Sequence, residues 1–280
     1  MRTKEAIAYL ENKGFFAHME SAPVTEIEID GQINVSRSVK EMVYVVKKGV
    51  SVSIYETIKG DNPDTKTVLI GLDHSNIRYY VVNENEEHTG TVDIFLWKNA
   101  NINSNIIELA SSKALIRSNL HFLEPGAHAD ANSVAIGTGI GDFDLAIQFI
   151  HLAKNTSAVM NNYGIAKDRS KILYTGISRI EKGNSKTDSY QKTRGLNLSK
   201  DAKVTARPYL YIDEYDVIAG HGASIGSVRE DDLFYLMSRG LKREEAEKMI
   251  IGGFIKPIID NISDEAFQAA LTEAIDKRLG

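Results

Sequence analysis

The hydrophobic period of this chain changes twice. Over residues 1–20 the apolar positions Ala6, Ile7, Leu10 and Phe15 fall on one face at helical spacing, with Gly14 near the end, which predicts a short N-terminal helix. From about residue 24 the period becomes two. "TEIEIDG" alternates Ile27 and Ile29 with charges, and "EMVYVVKKGVSVSIYETI" gives two strands broken at Lys48-Gly49. "KTVLIGL", "IRYYVVNE", "GTVDIFLW", "KALIRSNLHFLE", "GDFDLAIQFIHL" and "KVTARPYLYIDEYDV" continue the pattern. Short strands separated by Gly, Asn, Asp and Ser turns predict an all-β body. From Ser227 the helical period returns. Ser227-Val-Arg-Glu230 fits a capping box, and Gly240 suits the left-handed end of a helix. A second helix is expected from Arg243, and a third after Ser263 with Phe267, Leu271 and Ile275 on one face.

Turn chemistry narrows the β architecture. Sandwiches and up-and-down barrels favour two-residue Asn-Gly or Asp-Gly hairpins. Here Asp-Gly occurs once, at Asp30-Gly31, and Asn-Gly is absent. The turns read "EPGAHADANS", "AKNTSA", "EKGNSKTDS" and "LSKDAK", like the corners of a coil with stacked rungs. A parallel β-helix buries one continuous apolar column in this way. The expected organisation is an N-terminal helical segment over 1–23, a β-helix over 24–226 and a helical subdomain over 227–280.

Composition removes several function classes. The chain has 280 residues and a net charge of −5, so it lacks the basic footprint of a general nucleic-acid binder. It contains no cysteine, which excludes disulfides, thiolate metal sites and a cysteine nucleophile within the chain. No apolar run reaches the ~20 residues of a membrane span, and the N-terminus shows no signal-peptide pattern, so a cytoplasmic location is expected. "GTGIGD" at 137–142 is followed by a strand pattern rather than a helix, so it reads as a turn and not a phosphate cradle. None of the seven histidines (His18, His74, His88, His121, His128, His151 and His221) forms an H-x-H or H-x-x-x-H pair. His151, ending an apolar strand, reads as a packed histidine. Asp142 and Asp144 alternate on a strand, where acids sit on the solvent face.

His221 differs in its setting, between Gly220 and Gly222. Bare neighbours leave the imidazole accessible and able to bind a borderline metal. On residues alone, a plain turn from sheet to helix is the favoured account of the glycines.

The last third of the chain resembles the SufB/SufD family of iron–sulfur cluster assembly proteins. The resemblance lies in "SKTDSYQKTRGLNLSKDAKV" (185–204), "RPYLYIDEYDVIAGHGASIG" (207–226) and "DDLFYLMSRGLKREEAEKMIIGGF" (231–254). It extends more weakly back to about residue 115, and the first hundred residues match only in β character. It implies a mainly β fold, a right-handed parallel β-helix with a short N-terminal helix and C-terminal helices. It also implies partners, namely a SufC-type ABC ATPase and a SufB-like β-helix subunit; when the chain is alone, the unpaired edge of its last strands is expected to pair with a second copy. Lys186-Thr187-Asp188-Ser189 stands where SufB has Gln-Cys-Asp-Ser, and His221-Gly222-Ala223, the SufD pattern, stands where SufB has His-Glu-Ala, so the cysteine and glutamate of SufB are both missing. Ala219 stands where many SufD chains carry cysteine.

The resemblance therefore places Thr187, Gly220, His221 and Gly222 at a cluster-assembly interface, with His221 as its metal-competent side chain. It places ATPase docking on Leu233, Phe234, Tyr235, Arg239, Gly240 and Phe254. No permanently bound cofactor is expected, only transient iron or an iron–sulfur cluster, and no catalytic residue. The alternatives are a SufB-like scaffold, a polysaccharide-active β-helix enzyme, and a purely structural module with His221 inert.

Overall fold

The computed structural model describes residues 3–15, 22–60 and 63–279. The expected N-terminal helix forms as α1 (Thr3–Asn12). Residues 16–20 of that expectation, with His18, lie outside the described residues. Sixteen strands follow in order: β1 (Val24–Ile27), β2 (Gly31–Arg37), β3 (Glu41–Val46), β4 (Ser51–Ile58), β5 (Asp64–Gly71), β6 (Asn76–Asn83), β7 (Glu87–Leu96) and β8 (Asn101–Glu108). Then come β9 (Lys113–Phe122), β10 (His128–Gly137), β11 (Asp142–His151), β12 (Ser157–Ala166), β13 (Lys171–Ile180), β14 (Thr187–Asn197), β15 (Lys203–Ile212) and β16 (Val217–Ser227). Helices α2 (Glu230–Ser238), α3 (Arg243–Ile259) and α4 (Glu265–Leu279) end the chain.

Odd-numbered strands form one parallel eight-stranded sheet and even-numbered strands another. Each strand pairs with the strand two ahead, as successive rungs of a β-helix must. Between the sheets lies the apolar column predicted from turn chemistry, with Tyr44, Ile54, Leu69, Ile94, Phe122, Phe143 and Phe149 fully or almost fully buried.

Alternation does not pick out every strand. "HADANS", read as part of a turn, belongs to β10. Its polar residues are compatible with a strand because identical amides stack from rung to rung. Asn132 Nδ2 donates to Asn105 Oδ1 at 3.0 Å, and Asn161 Nδ2 to Asn132 Oδ1 at 3.0 Å. A parallel in-register coil supplies those partners; an isolated strand does not.

The outer faces are covered unequally. α1 packs Ala6 and Leu10 on Val43, Val45, Val68, Ile70 and Phe95 of the odd sheet. α3 and α4 pack Ile251, Ile255, Ile258, Leu271 and Ile275 on Tyr55, Tyr80, Ile107, Val134 and Ile165 of the even sheet. Tyr55 stacks on Tyr80 and meets Phe267, and the Tyr80 hydroxyl donates to the Asn261 carbonyl at 2.8 Å.

The expected capping box at Ser227 does not form. Ser227 still pairs with Asn197 as the last residue of β16, and α2 starts at Glu230 without a side-chain cap. Its start is instead favoured by Glu230, Asp231 and Asp232 in the first turn, where the helix dipole attracts acids. Asp264 caps α4, accepting from Phe267 N–H at 2.7 Å.

Two buried histidines tie stability to pH. His121 stacks on Phe95 and meets Phe15 edge-on, and His151 stacks on Phe122 with Nδ1 against Thr156 Oγ1 at 2.8 Å. Burial lowers the pKa of His121 to about 4 and that of His151 to about 3. The unfolded chain, titrating near 6.5, therefore binds more protons than the native one below that pH. Stability is complete above 6.5 and falls on acidification, each histidine contributing up to about 1.4 kcal/mol per pH unit. Urea unfolding at pH 7, 6 and 5 should show midpoints falling with pH. The fall should be shallower for His121→Phe, which keeps the stack without the titration. Equal pH slopes for the variant and the wild type would refute this account.

Candidate functional site

The two strands that end the coil define the site. β15 pairs only with β13 and β16 only with β14, so each has one free edge. The direction of the free groups follows from two sets of bonds. Lys203 and Asp213 N–H donate to β13-side carbonyls (Ser170 and Ile180), so odd-numbered amides of β15 face inward and even-numbered ones face the edge. Val228 N–H donates to Asn197, so in β16 the odd-numbered amides, including His221, face the edge. Pro208, which has no N–H, sits at an edge-facing position and so costs the chain no internal bond.

Neither helix pair covers this end. α3 and α4 lie on the even sheet's outer face and leave the last rung in the open. On its lumen side His221, Ala223 and Ile225 (39%) are exposed, and on its outer faces Tyr209 (43%), Tyr211 (48%) and Ile218 (57%) are exposed. Arg179 lies over the Tyr211 ring at 5.3 Å, and Tyr209 and Tyr211 lie parallel, 6.2 Å apart. The turn between β15 and β16 is held by Glu214, which accepts from Gly183 N–H (2.8 Å) and Tyr215 N–H (2.9 Å). These amides hold its carboxyl below the usual carboxylate range.

The opposite end differs. Glu26, Glu28 and Asp30 flank β1 and β2, with Lys47 paired to Glu26 at 2.6 Å and Asp30 accepting from Ser51 N–H at 2.7 Å. Charges of this kind blunt a sheet edge against further pairing. The edge at β15 and β16 carries mostly tyrosines, aliphatics and glycines, with Lys203, Arg207 and Pro208 on β15 and no charge on β16.

His221 is central to the open end. Gly220-His221-Gly222 is not a turn from sheet to helix. It lies inside β16, with none of its glycines at positive φ, and the strand continues to Ser227. His221 is exposed and in register with Gln191 of β14. In-register parallel neighbours point to the same side, so its imidazole projects on the lumen side of an uncovered rung. A Cβ at Gly222 or Gly226 would meet nothing within 4 Å, and one at Gly220 would meet only Tyr190 at 3.5 Å. The chain's own packing therefore does not require these glycines. They leave the outward face of β16 bare.

Thr187 is not beside His221. It is fully buried, bonded to Thr156 at 3.1 Å and in register with Val217, four residues from His221 along β16. At ~3.3 Å per residue that is about 13 Å. Among the described residues no group of three or more His, Cys, Asp or Glu could hold a metal.

The helical residues separate into two sets. Phe234 (74% exposed), Tyr235 (57%), Met237 (42%) and Met249 (56%) form an open face of α2 and α3. Arg239 joins it, 5.3 Å over the Tyr235 ring, and Gly240 ends α2 at φ +99°. Glu230 and Arg243 clamp α2 to α3 at 2.8 Å, and this pairing lowers the Glu230 pKa. Leu233 is buried, and Phe254 packs edge-on against Tyr163 with Arg194 5.0 Å above its ring. These two hold the helices in place, while Phe234, Tyr235 and Arg239 face outward. Sequence reasoning passed over Gln191, although it lies four residues after Thr187 in the quoted stretch 185–204.

Comparison with known proteins agrees with this geometry. The SufBD core domain of the SUF system for iron–sulfur cluster assembly matches residues 29–254. The iron–sulfur cluster assembly protein SufD of Bacillus subtilis is 38% identical over 154 residues, 55% of this chain and 35% of that protein. A SufBD family protein of Porphyra purpurea is 22% identical over 273 residues, covering 90% of this chain and 56% of its own length. The chain thus spans about a third to just over half of these relatives. No helix among the described residues is long and apolar enough to cross a membrane. With the coiled body, the open last rung and the trailing helices all inside or beside the matched region, the chain belongs to the SufBD core family of the SUF iron–sulfur cluster assembly system.

Proposed function

We propose that this chain is a SufD-like, non-catalytic subunit of a cluster-assembly scaffold. In this reading it pairs through its open last rung with a SufB-like β-helix subunit, or with a second copy of itself when alone, and docks a SufC-type ATPase on α2 and α3. The uncovered rung carries the proposal. Two strands rich in tyrosine and aliphatic residues, with unpaired edge amides, charges at Lys203 and Arg207 of β15 and none on β16, are a template for pairing with another chain. Strand addition satisfies those amides and places His221 against the partner. Likeness to the Bacillus SufD supports the choice within the family. The absence of cysteine supports a helper that offers an imidazole rather than a scaffold that holds a cluster itself. Co-expression with SufB-like and SufC-type chains, followed by native mass measurement, tests the reading. A three-protein complex is expected, and a chain that stays alone would contradict it.

The backbone geometry separates two proline substitutions. Ile212 N–H faces the free edge, as Pro208 does, so Ile212→Pro should split the dimer with little change in unfolding. Tyr211 N–H faces β13, so Tyr211→Pro should destabilise the fold itself, by about 1–3 kcal/mol. Sedimentation and thermal unfolding of both variants check this, and a dimeric Ile212→Pro protein would count against the edge.

On the helical face, Phe234→Ala with Tyr235→Ala should weaken ATPase binding at least roughly a hundredfold, the effect of removing two aromatic anchors. Unfolding should stay close to wild type, because both rings face solvent. Unchanged affinity by calorimetry would remove α2 from the docking face.

A further inference from the structure

The lumen changes character just before the open end. In β11 its inward residues are Phe143, Leu145, Ile147 and Phe149, all buried and apolar. In β13 and β14 they become Tyr174, Gly176 and Ser178, and Ser189, Gln191 and Thr193. Gln191 is only 3% exposed and reaches across the lumen from the even sheet to the odd one. Its Nε2 donates to Ser178 Oγ on β13 at 2.8 Å and to the Tyr209 carbonyl on β15 at 3.1 Å. Ser189 Oγ donates to the same Ser178 oxygen at 2.9 Å. Gly176 makes room for this amide, since a Cβ there would lie 2.7 Å from Gln191 Oε1.

The bridge is not the arrangement that packing alone would select. Gln191 Oε1 is buried without a hydrogen-bond partner. An aliphatic side chain of similar volume would fill the lumen without stranding a polar atom there. Buried polar contacts of this kind fix one arrangement among several rather than add stability. What Gln191 fixes is identifiable. It stands in register with His221 on β16 and is bonded to the backbone of β15, so one side chain on β14 contacts one free-edge strand and adjoins the other.

We propose that Gln191 is a positioning residue for the partner-binding end. Its cross-lumen bridge sets the separation of the β15 and β16 edges and, with it, the placement of His221 in the mouth between them. This rests on reading that end as the face that pairs with a second β-helix chain. A partner strand pair must meet both edges at once, so the gap between them must match the gap in the partner. A lumen filled by apolar side chains alone would leave that gap free to vary.

The test uses the full chain and measures self-association by sedimentation equilibrium beside thermal unfolding. Gln191→Leu removes both donors and the stranded oxygen while keeping most of the volume. It should unfold at or near the wild-type temperature, yet self-associate roughly tenfold or more weakly, the scale of one lost hydrogen-bonded contact. Gly176→Ala leaves Gln191 in place but fills the slot its amide needs, so it should weaken association similarly. If both variants act on one bridge, the double variant should be no weaker than Gln191→Leu alone. A side chain that only packs would lower the unfolding temperature and leave association intact. Association as tight as wild type in folded Gln191→Leu or folded Gly176→Ala overturns the brace while leaving the pairing face standing. A wild-type protein that neither self-associates nor binds a second β-helix chain overturns the pairing face and the brace together.

Discussion

A parallel β-helix divides its backbone hydrogen bonds between rungs. Each strand bonds to the rung before it through one set of amides and to the rung after it through the other. The coil must therefore end on two strands whose outer amides have no partner in the chain, and most of this molecule can be understood from how it treats that obligation. At the first rungs, Glu26, Glu28 and Asp30 surround the edge with charge. At the last rungs β16 carries no charge and β15 only Lys203, Arg207 and Pro208, and the helices that could have covered them lie elsewhere.

The placement of those helices is itself a consequence of burial. The even sheet presents an outer face of Tyr55, Tyr80, Val82, Ile107, Val134, Ile136 and Ile165, too apolar to leave in water. α3 and α4 cover it and are fastened along its length. Asp264 bonds Gln32 and Asn34 at the first rungs, Arg278 bonds the Ala110 carbonyl midway, and Lys167 bonds the Leu279 carbonyl at 3.2 Å. α2 is left over from this arrangement. It buries Leu233 alone and turns Phe234 and Tyr235 outward, next to the end where β16 finishes. Two surfaces that need partners thus lie near each other because α2 follows directly on β16, the strand that ends the coil.

Much of the fold was legible in the sequence. Period-two runs such as "GTVDIFLW" and "GDFDLAIQFIHL" marked strands, and the scarcity of tight hairpin turns pointed to a coil. Strands that carry their polar side chains in ladders were less visible, because Asn105, Asn132 and Asn161 find their partners one rung away and about 27–29 residues apart. β16 was missed for a related reason. "VIAGHGASIGS" has neither alternation nor β-branched density, and it is held straight by register with β14 rather than by local preference. The importance of His221 could be read from its bare neighbours, but its position inside a strand could not. The capping box at Ser227 matched on residue types while the serine was already committed to the sheet. Thr187 and Gln191 share one short segment, yet only three-dimensional packing shows that one points into a threonine pair and the other spans the lumen.

Whether another chain covers the last rung decides what this end of the molecule does. Residue-resolved amide hydrogen exchange, measured at low and at high protein concentration, tests this most directly. The edge-facing amides of Leu210, Ile212, Ala219, His221 and Ala223 should exchange freely in dilute protein and become protected as concentration rises. The even-numbered amides of β16, which face β14, should be protected throughout. Edge amides whose protection does not change with concentration, in a protein that remains monomeric, would contradict the account.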